Sequence, residues 1–259
     1  MTSQRVLLLG GHGAIAQLMT PLFLRRSWSV TSVIRSADQI PTIRALGNGQ
    51  PGTIDVLIES LDDVKTQAAA QSVIDKVQPN YIVWAAGAGG KGGAERTFAV
   101  DRDAATHYIR AAAASPGVSK FLMISYIGSR RGRAAWWSDE SYKAVQEVND
   151  GALANYHVAK LAADEVLVAA AKERGSEFAG ICLRPGTLKE GSATGKILLG
   201  KTPGRGEVRR SDVAEVAVRL LEQDGVGTRW LDLVAGDEGI DQAIARVVKE
   251  GLDCYDGEG

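Results

Sequence analysis

Only two cysteines occur in 259 residues, Cys182 and Cys254, far apart and without metal-ligand spacing. That argues against a disulfide framework or a thiolate metal site and predicts two free thiols in a reducing, intracellular setting. Long apolar runs are also missing. No segment approaches the roughly 20 residues of a membrane span, and Arg5-Val6-Leu7-Leu8-Leu9-Gly10 is too short for a signal-peptide core. Charge of one sign is lacking too: 30 Lys and Arg oppose 31 Asp and Glu, a formal net charge of −1. A phosphate-tracking protein usually carries an obvious basic excess. These absences predict a cytoplasmic protein with neither nucleic acid nor membrane as its partner.

What is present is an ordinary globular composition, 45% apolar and 24% charged. A chain this long buries enough apolar surface to fold without staples, and its length fits one large α/β domain or two small ones. Short β-branched and apolar runs alternate with longer helical stretches. Strands are expected at 6–9, 29–34, 53–58, 81–85, 120–125, 177–183 and 229–234. Helices are expected at 14–26, 40–46, 62–77, 97–114, 152–174, 211–223 and 239–249. Ser60 or Asp62 is placed to cap the third helix, and Ser211 or Asp212 the sixth. Strands apolar throughout suit a parallel sheet covered on both faces. The β-α alternation from end to end therefore predicts a single-domain, doubly wound α/β Rossmann sheet over 1–250, with a frayed polar tail at 251–259.

Between the first strand and first helix lies Gly10-Gly11-His12-Gly13-Ala14-Ile15-Ala16. Gly10 and Gly11 permit torsions that a Cβ penalises. Gly13 lets a pyrophosphate approach N–H groups at the positive helix end, and Ala16 lets helix and strand pack closely. The alternative is a glycine-rich turn without a ligand; the strand–turn–helix context favours binding. The second strand ends in Arg35-Ser36, where NAD-preferring proteins carry an acid. A guanidinium there can hold a 2′-phosphate, so NADP(H) is the expected cofactor, with an ordinary surface arginine as the alternative. Asp38 lies past the strand end.

Tyr156 and Lys160 are four apart in the long helix and share a face. The lysine charge is expected to lower the phenol pKa from its reference near 10, making a proton donor to a carbonyl or an acceptor in reverse. Asp164, four further on, reads as a surface partner of Lys160. Ser125, at the carboxyl end of the fifth strand, points into the crevice where open α/β sheets bind ligands, or satisfies its own turn. His12 reads as a tolerated loop residue and His107 as packed or solvated.

Together these features resemble the short-chain dehydrogenase/reductase superfamily in its atypical and extended branches, similar to NAD(P)H-binding, NmrA-like and biliverdin-reductase-B-like proteins. The resemblance runs from Val6 to about Ala243. It rests on residues 10–16, Arg35, Trp84-Ala85-Ala86-Gly87 and the glycines after it, Val100-Asp101, Ser125, Tyr156 with Lys160, Leu183-Arg184-Pro185-Gly186, and Arg210-Ser211-Asp212-Val213-Ala214. It implies that Ala85, Ala86 and Gly87 line the adenine–ribose side. It also implies that Lys160 contacts the nicotinamide ribose and that Arg184, Pro185 and Gly186 pass the nicotinamide end. Ser125, Tyr156 and Lys160 become the implied catalytic set, and Asp212 a structural helix cap.

Residues 128–150 insert a polar stretch bearing Arg130, Arg131, Arg133, Trp136 and Trp137. With 186–210 it is expected to form lid segments over a small-molecule substrate. Three cations and two aromatics suit an anionic or aromatic ligand; alternatively the tryptophans pack on the domain or on a second subunit of a homodimer. Lys91, in the glycine loop, is similarly placed. The leading expectation is an NADP(H)-dependent oxidoreductase acting on a small carbonyl or alcohol, with no metal. The alternatives are a non-catalytic NADP(H)-binding sensor and a redox-neutral epimerase or isomerase.

Overall fold

The computed structural model describes residues 3–89 and 92–255; the expectations for Lys91 and for 256–259 lie outside them. From the amino end the chain alternates β1 (Arg5–Leu9), α1 (Ala14–Arg25), β2 (Ser29–Ile34), α2 (Ile40–Ala45), β3 (Thr53–Ile58), α3 (Gln67–Val77) and β4 (Tyr81–Trp84). A short helix α4 (Gly93–Thr97) runs through a π-helical turn, Phe98–Ala104, into α5 (Ala105–Ala114), followed by β5 (Lys120–Ile124). Helices α6 (Asp139–Asp150) and α7 (Ala154–Arg174) precede β6 (Ala179–Pro185). The chain closes with β7 (Thr187–Lys189), β8 (Lys196–Gly200), β9 (Glu207–Arg209), α8 (Arg210–Glu222), β10 (Arg229–Ala235), β11 (Glu238–Gly239) and α9 (Ile240–Glu250).

Nine strands form one sheet in the order β11-β8-β10-β6-β5-β4-β1-β2-β3, and β7 and β9 pair separately. From β3 to β10 every neighbour is parallel; β8 and β11 are antiparallel. Successive strand residues enter opposite cores. Val6 and Leu8 pack with residues of α1, α8 and α9, while Leu7 and Leu9 pack with α3, α5 and α7. Burial on both faces is why the strands read as apolar throughout.

The chain winds outward from β1 to β3 and then returns to β4 beside β1. That reversal opens a crevice at the carboxyl ends of β1 and β4, the position where doubly wound sheets take ligands.

Several local expectations are corrected. Thr66, not Ser60 or Asp62, caps α3: its Oγ1 accepts from Ala69 N at 3.2 Å, while Leu61–Asp63 forms a separate 3-10 turn. Neither Ser211 nor Asp212 caps α8, whose N-cap is Arg209. The Asp212 carboxylate instead accepts from Thr194 N and Gly195 N at 2.9 Å, tying the loop before β8 to α8. Segment 186–210 is not all lid, because β8 belongs to the main sheet. The start of the tail is packed: Cys254 is buried and Tyr255 meets Trp230 edge-on at 4.9 Å.

Candidate functional site

Gly10 has φ +81°, and a Cβ there would stand 2.6 Å from Ala86 Cα. The loops after β1 and β4 therefore touch, and only glycine allows it. Gly11 serves packing: its amide donates to Val33 O at 2.9 Å, and a Cβ would strike the Ser32 hydroxyl. Helix α1 starts at Ala14 with Gly13 as N-cap, no side-chain cap and no acid in its first turn. Its N-terminal amides are thus left to an anion.

A groove of about 660 Å³ follows, lined by Gly10, His12, Gly13, Ala14, Arg35 and the Ala85–Ala88 backbone, among others. Two other arginines on this groove have carboxylate partners: Arg96 holds Asp62 at 2.7 Å and Arg210 holds Glu190 at 2.6 Å. Arg35 is exposed and has no protein partner among the described residues. A glycine cradle, free amides and an open guanidinium fit a dinucleotide with an extra phosphate.

Ala85, Ala86 and Gly87 also line a second cleft of about 580 Å³, with Ile15, Asp101, Ser125 and Tyr156. Ser125 and Tyr156 in turn line a third, of about 800 Å³, under α6. Tyr156 therefore stands where a cofactor groove meets a separate pocket. Its ring lies 5.1 Å from that of Tyr126, and its hydroxyl has no protein hydrogen-bond partner among the described residues. Burial pushes the phenol pKa up, and Asp101, Tyr126 and Asp164 push it further. The expected depression by Lys160 is not found: every group acting on the phenol raises its pKa. The phenol is held protonated, as a donor.

Lys160 is fully buried and lines none of these clefts; its Nζ donates to Ile124 O at 3.0 Å. Asp164 is not a surface partner. It is fully buried, and its Oδ2 accepts from Ser125 Oγ at 2.5 Å and from Ser129 Oγ at 2.8 Å. Burial raises its pKa, opposed by Lys160, Arg184 and the two hydroxyls. Ser125 is thus engaged with Asp164 and not with Tyr156. Asp101 faces Lys160 from the π-helical turn and accepts from Ala88 N at 2.9 Å, fixing the loop after β4.

Other expected residues lie elsewhere. Ser36 donates to Asp38 and does not line the groove. Arg184 is buried against Asp232 at 3.0 Å and donates to Ile127 O, so its guanidinium is a core group. Pro185 and Gly186 line the cleft under α6 and not the other two clefts. The three arginines of the inserted segment have protein partners. Arg130 is buried near Asp232 and stacked against Trp136, Trp137 and Trp230. Arg131 pairs with Glu165 at 2.7 Å and Arg133 with Asp139. Both inserted indoles donate to Thr202 O, at 3.0 and 3.1 Å. The tryptophans pack on the domain, and the three arginines are engaged with protein groups.

Two contributors, α6 and Tyr126, are absent from the sequence reading, and a third, Asp164, is present there in a different role. Helix α6 had a signal: Ser138 accepts from Ser141 N as its cap, and Tyr142, Val145 and Val148 recur every third residue. Asp164 shares the helix face of Tyr156 and Lys160. Tyr126, whose hydroxyl donates to Asn149 Oδ1 at 2.9 Å, had none.

Residues 10–224 match the model of the NAD(P)H-binding family. The uncharacterized sugar epimerase YhfK of Bacillus subtilis is 29% identical over 94% of this chain and 100% of its own. Among solved structures, a putative NAD-dependent epimerase/dehydratase from Bacillus halodurans superposes with a TM-score of 0.72 at 24% identity, covering 96% of this chain and 100% of its own. The oxidoreductase ylbE from Lactococcus lactis gives 0.73 at 20% identity, covering 95% and 97%. Glycine turn, switch-point groove and sequence agree: the chain belongs to the NAD(P)H-binding family.

Proposed function

We propose that the protein is an NADP(H)-dependent oxidoreductase of the cytoplasm, interconverting a small carbonyl compound and its alcohol. The observation that carries this reading is the place of Tyr156, an unpartnered and protonated phenol shared by the cofactor-side cleft and the pocket under α6. Gly10, Gly13 and the amides opening α1 would hold the pyrophosphate, Ala85 to Gly87 the adjoining ribose, and Arg35 the 2′-phosphate. The bound nicotinamide supplies or accepts hydride. Tyr156 holds the proton that the substrate oxygen takes up, worth about 10²- to 10⁴-fold in rate. Asp101 and Asp164 flank Lys160 and keep that phenol neutral. Ser125, its proton committed to Asp164, presents only lone pairs to the ligand.

A redox-neutral epimerase is a second reading, favoured by the name of the Bacillus subtilis relative. Fluorescence titration with NADPH and NADH, then NADPH consumption across a carbonyl panel, tests the two together. Tighter NADPH binding and stoichiometric consumption are expected. Stereoisomer formation without net consumption would establish epimerisation instead, and equal binding of NADH would remove Arg35 from its role.

A further inference from the structure

The pocket under α6 has one feature that narrows its ligand: the polar side chains beside Tyr156, those of Ser125, Tyr126 and Asn149, are already engaged with protein groups. Tyr126 donates to Asn149 Oδ1, and Asn149 Nδ2 donates to Gly128 O at 2.8 Å. The Ser125 proton goes to Asp164. The Tyr156 hydroxyl is left uncommitted where this pocket meets the neighbouring cleft, while the Thr187 hydroxyl and the Arg205 guanidinium, both on exposed residues, are the other side-chain donors of the lining without a protein partner among the described residues. Around it the walls are apolar, from Val145 and Val148 of α6, Leu153, Pro185 and Leu188. Val148 is 46% exposed, one of four large apolar residues so placed among the described residues. It lies on the wall of the cleft, where a ligand would cover it.

The mouth carries Glu147, Arg205 and Glu207, two carboxylates against one guanidinium, and Glu207 also pairs with Lys189 at 2.8 Å. A sugar nucleotide needs cations for its diphosphate and several donors and acceptors for its hydroxyls. This pocket has neither in surplus.

We propose that the pocket under α6 takes an apolar ketone or the matching secondary alcohol, with a single oxygen meeting Tyr156 and an aryl or alicyclic body against Val145 and Val148. The inference rests on the oxidoreductase reading and names its substrate class. Its volume of about 800 Å³ accommodates a bicyclic body. In the reducing direction the ketone carbon gains hydride from the nicotinamide and the oxygen gains the Tyr156 proton. The carbonyl π bond becomes a C–H and an O–H bond, and the phenolate is reprotonated from solvent.

The test is calorimetric titration of 2-acetylnaphthalene and, separately, of UDP-glucose into the protein loaded with oxidised NADP, which cannot reduce the ketone, the unaltered chain beside V148D. Binding of the ketone, weakened about tenfold or more by V148D with NADPH affinity unchanged, is expected; unchanged NADPH affinity also reports that the variant folds. V145S, a milder change on the same wall, should weaken the ketone by a few-fold. UDP-glucose binding without ketone binding overturns the substrate class while leaving the cofactor assignment standing, as does ketone affinity indifferent to both variants. Failure of the unaltered chain to bind NADPH would overturn the oxidoreductase reading itself.

Discussion

At Gly10, Gly13, Ala14 and Ala85 to Gly89 the groove is built from residues with little or no side chain, held by two loops that touch. The pocket under α6 is built from side chains of widely separated segments, 125–128, 144–156, 185–188 and 204–207. On the proposed function the first would meet pyrophosphate and ribose, groups common to every dinucleotide, for which fixed backbone amides suffice. The second is the proposed substrate pocket, and its polarity follows from which side chains are already engaged with each other.

The sharpest way to break this contrast is at Gly10. A valine there combines a left-handed torsion of +81° with a clash on Ala86 backbone. NADPH affinity of Gly10→Val should fall by more than about 100-fold, with a lowered melting temperature. A fluorescence titration that finds normal affinity would remove the groove from the account. A smaller and more selective effect is expected from Arg35→Ala. Loss of charge-assisted hydrogen bonds of about 1.5–3 kcal/mol predicts roughly 10- to 100-fold weaker NADPH binding and little change for NADH. Equal losses for both cofactors would place Arg35 outside the 2′-phosphate contact.

The same contrast explains what could be read from the chain. Gly10 to Ala16, Arg35 and the strands from β1 to β6 were legible because contiguous residues or a local period carry them. Ser125, Asp164 and Lys160 were individually visible, but their pairing was not, since nothing local says that a helix carboxylate turns inward to two serine hydroxyls. The inserted arginines and tryptophans illustrate the opposite case, in which two readings stay open until the fold is known. Read alone they suggest an anion site, whereas the fold brings Asp232, Glu165, Asp139 and the Thr202 carbonyl to them.

The smallest expected effect lies in stability. Burial raises the native pKa of Asp101, Asp164 and Asp232 above their ordinary 3.8. Between 3.8 and those raised values the folded chain binds more protons than the unfolded one, so these groups make stability decline as pH rises. Denaturant unfolding across that range should show a shallower decline in Asp164→Asn than in the unaltered chain. An identical slope would mean that Asp164 titrates as it does in the unfolded state.

The central claim is that the two ends of the cleft meet at one proton-bearing phenol. NADPH oxidation by cofactor-saturated Tyr156→Phe, measured against a ketone the unaltered protein turns over, tests it most directly. The account predicts turnover reduced at least about 100-fold with NADPH affinity nearly intact; undiminished turnover at full NADPH occupancy would contradict it.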